Sequence, residues 1–381
     1  MNESSVARRY GRARLLVFFL AAMLFYSTTT LAEQWTLSRS IERGLEVSPR
    51  VTRSQGALFS RQGERDTAGR WPNPSAELSS GDRLGQEQGT GRWQVEEYAI
   101  TQPIPIGGRI AARRRAADER ISAASADIQF TRLEVERQIA TTYYHLQSAS
   151  ARVELSRQQL KRSQRFQEVT SKRARSGDIS GRDATRLDVL YGDAEQALAA
   201  ARSKRHEAEG RLRNLLQLDA QVALNVEGLS RPKDPPPKED LRGRIAEHPA
   251  LVGANFRSWA ALAQLDQARA ARIPDLSIRL GREEELFDGS REPAYSVGLE
   301  MEIPLWSSGR GEVRSSQGEV YQADAELEQA RRQLLMAFEN NHAQLQRVLS
   351  RLDRLQSSIL EPAARVLDMT EKGYQSGDFA M

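Results

Sequence analysis

The chain has 381 residues, no cysteine and a formal net charge of +4 at pH 7. Without thiols it can carry no disulfide framework and no cysteine-based zinc, redox or nucleophile site, so stability must come from packing or assembly. The positive charge does not point to nucleic acid: Arg8, Arg9, Arg12 and Arg14 against Glu3 give the first 32 residues a +3 share, which leaves the remainder near +1.

Those arginines precede an unbroken apolar run, Leu15 to Phe25, and then Thr30-Leu31-Ala32, which offers small residues at a cleavage site. This is the layout of a cleaved secretory signal peptide over residues 1–32, because the run is far shorter than the ~20 residues of a spanning helix. No later segment has the length and apolarity of a transmembrane helix. A mature chain that enters a membrane would therefore do so as β-strands of a closed barrel.

A helix of about thirty residues is expected over 36–69, ending at Trp71-Pro72-Asn73-Pro74. Two strands follow, Ser75 to Gly81 and Trp93 to Gln102, the second alternating less cleanly because Glu96 and Glu97 are adjacent. From Arg109 to Ser176 no Pro or Gly interrupts the pattern, which predicts a rod on the order of 100 Å long. Ile128, Val135, Ile139, Thr142, Leu146, Ala149, Val153 and Leu160 recur at alternating threes and fours, the seam of a coiled coil. Gly177-Asp178-Ile179-Ser180 then turns the chain, and a returning helix runs from Asp183 to about Leu218. Gly228 to Asp240, with Pro232 and Pro235-Pro236-Pro237, reads as a linker.

The pattern then repeats. His248-Pro249, Arg272-Ile273-Pro274-Asp275-Leu276, Ile303-Pro304 through Gly309-Arg310, and Ser376-Gly377-Asp378-Phe379 echo Ser48-Pro49, Arg70 to Pro74, Ile104 to Arg109, and Ser176 to Ile179. Four collinear echoes near one offset indicate a tandem duplication. The expected organisation is a signal peptide (1–32), a first repeat (33–227), a linker (228–240) and a second repeat (241–381). Because the chain stops at Met381, the second repeat is expected to lack its final helix.

In the second repeat a helix is expected over 239–271, a strand over Leu276 to Gly281, and a charged exposed turn over Arg282 to Pro293. Tyr295, Val297, Leu299, Met301 and Ile303 alternate with polar residues, as transmembrane barrel strands do. A half-buried soluble hairpin would show the same alternation. Trp71, Trp93 and Trp306 lie near strand ends, where an interfacial belt would sit.

This ordered set resembles the TolC-like outer-membrane efflux proteins, with the Gly107-Gly108-Arg109 junction closest to the heavy-metal, cobalt–zinc–cadmium type branch. The fold class implied is α+β and elongated. Long coiled-coil helices would form a periplasmic tunnel, and four strands per chain would build a trimeric twelve-stranded barrel. The implied protein is a passive outer-membrane duct of a tripartite efflux system, secreted through its signal peptide. Its partners would be two further copies, a periplasmic adaptor (membrane fusion) protein, an inner-membrane pump and outer-membrane lipid, with no nucleic acid. Adaptor contact would fall on the tips: Arg173, Arg175, Gly177, Asp178 and Ser180, with Gly377 and Asp378 in the second repeat. The lipid-facing strand would be Tyr295, Val297, Leu299, Met301 and Ile303. A soluble periplasmic coiled-coil scaffold and a type I secretion component are the competing functions.

No enzyme, cofactor or metal site is expected. His145, His206, His248 and His342 are not at ligand spacing, Met301, Met336 and Met369 form no cluster, and Gly107-Gly108 is too short for a nucleotide motif. Glu283-Glu284-Glu285 reads as a solvated loop, or as a charge ring at a pore mouth.

Overall fold

A computed structural model describes residues 34–82, 94–177, 179–232, 234–287, 290–306 and 308–376. The expected signal segment, Trp93, Asp178, Gly377, Asp378 and Phe379 lie outside the described residues. In chain order the elements are β1 (Gln34–Trp35), α1 (Leu37–Val47), α2 (Pro49–Ala68), β2 (Ser75–Asp82), β3 (Gln94–Ile104), α3 (Arg109–Arg175), α4 (Gly181–Leu216), β4 (Asn225–Val226), α5 (Lys238–Gly243), α6 (Pro249–Ala270), β5 (Leu276–Phe287), β6 (Ser290–Met301), α7 (Arg310–Arg354) and α8 (Glu361–Ser376). A 3₁₀ turn, Arg244–Glu247, precedes α6, and a π turn, Leu355–Leu360, joins α7 to α8.

The chain forms two compact units. One joins the segment ending at Val47 to Glu136–Arg231, and the other joins Ser48–Val135 to the chain from Pro232 onward. In the first unit α1, the later turns of α3, and α4 pack together. Ile139, Tyr143 and Leu146 of α3 and Leu212 and Leu216 of α4 are fully buried. Further along, Val153 packs with Leu198 and Ala201, and Leu160 flanks them. The Tyr143 hydroxyl donates to the Trp35 carbonyl at 2.8 Å and accepts from the Glu227 amide at 3.3 Å. One phenol thus fastens both strands of the small parallel pair β1–β4 to the helix at their shared C-terminal end. Gly44 of α1 sits directly against Ile139, leaving no room for a Cβ.

The expected seam is present. Ile128, Val135, Ile139, Leu146 and Val153 are buried, while Thr142, Ala149 and Leu160 are half-buried. In the second unit β2, β3, β5 and β6 form one antiparallel sheet in that order, so the two hairpins of the sequence become neighbours through β3 and β5.

Four expectations need correcting. The helix over 36–69 is two helices, because Pro49 cannot donate a backbone bond and Ser48 before it is extended (φ −68°, ψ 117°). His248 (φ −65°, ψ 127°) breaks the 239–271 helix before Pro249 in the same way, with its own ring accepting the Ala250 amide. The charged stretch Arg282–Pro293 is not a loop, since β5 and β6 continue in register to the Phe287–Ser290 pair. Ile303 lies past the end of β6, because Met301 pairs with Leu276, the first residue of β5, and the ladder has no partner beyond it.

Candidate channel-forming sheet and hairpin tip

Register fixes which side chains share a face of the sheet. Leu276, Ile278, Leu280 and Arg282 stand opposite Met301, Leu299, Val297 and Tyr295, and Ile100 and Tyr98 continue the row on β3, with Ala76 and Leu78 on β2. This face is apolar and wet: Val297 is 78% exposed, Tyr295 77%, Leu78 74% and Leu299 72%. Met301 and, beyond the strand, Ile303 are exposed as well. An apolar surface this continuous is not left to water without reason.

The other face is polar. It carries Glu77, Ser79 and Glu97, then Arg279 and Glu283, and then Ser296 and Glu300. Arg279 of β5 reaches across β3, donating to Glu97 Oε1 at 2.8 Å and to Glu77 Oε2 of β2 at 2.9 Å. The clamp ties three of the four strands together, and the Arg279 side chain is still one-third exposed. Sequence reading missed it. The signal was available, because the overlay of the repeats sets Glu77 and Arg279 at the same position with opposite charge. The apolar face turns polar at its far end, where Arg282 pairs with Glu284 and the Tyr98 hydroxyl donates to Glu96 at 3.1 Å. Of the Glu283-Glu284-Glu285 run, Glu283 and Glu284 therefore point to opposite faces.

At the hairpin tip α3 ends on Lys172, Arg173 and Arg175, cations that suit the partial negative charge of a helix C-terminus. Gly177 takes φ +81°, a left-handed turn that a Cβ would strain. Ser180 caps α4, its hydroxyl accepting the Asp183 amide at 3.3 Å and donating to the Asp183 carboxylate at 2.6 Å. Arg175 is exposed and Arg173 half-buried. The structure thus brings Arg173, Arg175, Gly177 and Ser180 together at one turn. Asp178 and the second tip, Gly377 and Asp378, lie outside the described residues.

Among the described residues no group of three or more His, Asp or Glu could hold a metal ion. His145 of α3 shares a groove with Arg152 and with Lys204, Glu207 and Arg211 of α4, where the one carboxylate is taken by Arg211 and the cations outnumber it. No helix of the described residues is long and apolar enough to cross a membrane.

The chain resembles known proteins over most of its length. The family model described as outer membrane efflux protein matches residues 40–217 and 244–380. The cobalt-zinc-cadmium resistance protein CzcC of Cupriavidus metallidurans is 25% identical over 285 residues, which is 73% of this chain and 66% of CzcC. The nickel-cobalt-cadmium resistance protein NccC of Alcaligenes xylosoxydans xylosoxydans is 26% identical over 300 residues, 77% of this chain and 66% of NccC. The chain thus spans slightly less than two thirds of the length of these relatives. In three dimensions the outer membrane protein VceC of Vibrio cholerae superposes with a TM-score of 0.72 at 19% identity, over 91% of this chain and 87% of VceC, a likeness of fold. The chain belongs to the outer membrane efflux protein family.

Proposed function

We propose that the chain is a subunit of an outer-membrane duct through which solutes leave the periplasm passively, with no bond made or broken by the protein. The observation that carries this reading is the four-stranded sheet, apolar and exposed on one face, polar on the other, and open at both outer strands. In lipid such edges are not tolerated, and four strands are too few to close a barrel. Three copies would pool twelve strands, with the Val297 face toward lipid and the Arg279 face toward the lumen. Eight-stranded barrels are filled by side chains, so twelve strands leave room for a pore.

The long helices would extend the duct into the periplasm, and the tip at Arg175, Gly177 and Ser180 would meet a periplasmic adaptor joined to an inner-membrane pump. The resistance proteins among its relatives favour divalent transition-metal cations as cargo. The test is fractionation followed by native mass measurement. The chain should partition with the outer membrane, need detergent for extraction, and run as a trimer that raises a host's tolerance to cobalt, zinc or cadmium. A protein that stays monomeric in aqueous buffer without detergent rules the duct out and leaves the soluble scaffold. Arg175→Ala with Asp178→Ala should impair export at unchanged protein level; unimpaired export removes the adaptor role of the tip.

A further inference from the structure

Beside the Arg279 clamp, the two hairpins are locked at their helix junctions, and the arginine of that lock recurs as Arg310 without a carboxylate partner among the described residues. Where β3 runs into α3, Gly107 (φ +67°) lies against Ile273, so that a Cβ there would stand 2.7 Å from Ile273 Cδ1. Two residues on, Arg109 Nη1 pairs with Asp275 Oδ2 at 2.6 Å, with the two side chains 28% and 34% exposed. Ile273 and Asp275 belong to the junction between α6 and β5. The first strand-to-helix junction is thereby seated on the second helix-to-strand junction.

The sequence overlay gives each part a counterpart. Trp71 and Asn73 stand where the second repeat has Ile273 and Asp275, and Arg310 stands where the first has Arg109. By that logic Arg310 belongs on Asn73, whereas the Gly309 turn beside it already lies against Arg272 of its own chain, whose Nε donates to the Ser308 carbonyl at 3.2 Å. One chain cannot bring Arg310 and Asn73 together, because Asn73 leads into β2 and Arg310 follows β6, the two outer strands, with β3 and β5 between. Arg310 and Asn73 are both exposed, and Arg310 has no carboxylate partner among the described residues. Trp71 and Trp306 beside them are 58% and 96% exposed, unusual for the largest apolar side chain.

We propose that a second copy of this chain completes the lock, with Trp306 and Arg310 at the β6–α7 junction of one subunit seated on Trp71 and Asn73 at the α2–β2 junction of the next. The proposal rests on the oligomeric-barrel reading above and deepens it by assigning the residues that join subunits beside the strand edges. It also makes the joins unequal. Within a chain the lock is a charged pair, Arg109 to Asp275. Between chains the guanidinium meets the neutral amide oxygen of Asn73, and hydrogen bonds with both partners ionised are the stronger kind. The boundary between subunits is therefore the weaker of two alternating joins, the place where the ring opens first.

The chain has no cysteine, so introduced thiols report without background. Arg310→Cys and Asn73→Cys are made in separate chains and co-expressed in a Gram-negative host, and outer membranes are treated with a short bismaleimide. The spacer is needed because residues held by an Arg–Asp type of contact lie too far apart for a disulfide. The expected result is a linked dimer from the mixture and none from either variant alone. Arg109→Cys with Asp275→Cys in one chain is the internal control and should take up one linker, with both thiols consumed, without forming a dimer. In a second arm, Asn73→Asp should raise the temperature at which the detergent-purified oligomer separates, and Asn73→Leu should lower it. An intact oligomer with a closed control pair, no mixed dimer and no shift from Asn73→Asp overturns the lock while the barrel stands. A chain that forms no oligomer in the membrane overturns both.

Discussion

The helices α3 and α7 begin alike, each after a Gly-Arg junction at the end of a strand, yet they differ in what covers them. Through its later turns α3 is matched by α4, and its apolar positions are buried down to Leu146 at 0% exposure. Past Val320 no apolar side chain of α7 or α8 is buried among the residues whose side chains are described, and Met336, Val348, Val366 and Met369 are all more than half exposed. The sequences are similarly rich in Arg, Glu and Gln. The difference is a matching helix, and it teaches that a heptad stripe is only half of a structure: burial needs the second stripe.

Side-chain truncation measures that contrast most directly. Leu146→Ala or Leu212→Ala should cost about 2–5 kcal/mol in denaturant unfolding, as for large-to-small changes at fully buried sites. Met336→Ala or Val348→Ala should fall within about 0.5 kcal/mol in the dissociated subunit. Equal losses at the two helices would mean that the α7 stripe is covered in solution, and the contrast would collapse.

Glycines give the next largest effect. Gly44→Ala drives a methyl into Ile139 and should destabilise by about 1–3 kcal/mol, an overpacking cost. Thermal melting reads it, and Ile139→Val in the same chain should restore part of the loss.

Tyr143→Phe removes two hydrogen bonds near the middle of α3 and should cost about 1–3 kcal/mol, because the Trp35 carbonyl and Glu227 amide lose their partner. Burial, foremost, holds the Tyr143 phenol above its ordinary pKa of 10.0. The native state therefore keeps this proton to higher pH than the unfolded chain. Its contribution is full below about pH 10 and is lost as pH rises beyond that value. Unfolding midpoints followed from pH 8 to 11 should fall less steeply for Tyr143→Phe than for the parent, and parallel curves would show that the phenol is not the sensor.

The smallest effect lies on the uncovered side. Nothing stands within 4 Å of a Cβ added at Gly318 in α7, so Gly318→Ala should stabilise by up to about 1 kcal/mol through helix propensity. A loss there instead would locate a close neighbour of α7 that forms only on assembly.

How much of this was legible in the sequence varies with the range of the forces involved. The span of α3 was readable because it depends on local rules, the absence of Pro and Gly and a regular apolar spacing. Its seam was read one residue off at Thr142, since Tyr143 carries the burial. A straight helix drifts from a 3.5-residue repeat, and a strict heptad misses that drift. The helix breaks at Pro49 and Pro249 were visible as residues but were counted as repeat marks, not as stops. Charge misled over Arg282–Pro293, where a strand with one wet face accepts Arg and Glu as readily as a loop does. The Arg279 clamp was out of reach of any single-strand pattern, because it depends on which strands become neighbours. The tip turn was legible from Gly177 and Ser180, whose φ and capping roles are local.

The π turn at Leu355–Leu360 bears on how anything could follow the far end of this chain. Pro362, in the first turn of α8, has no amide hydrogen to offer the carbonyl four residues back. The backbone there closes five-residue rings, which adds one residue to the winding and turns every later side chain by about 100°. A companion strip aligned with Met336 and Val348 would lose its bearing beyond Leu360 unless it carried a matching irregularity. The roughly four turns of α8 thus point their apolar groups along a new azimuth, and the rod has two addresses.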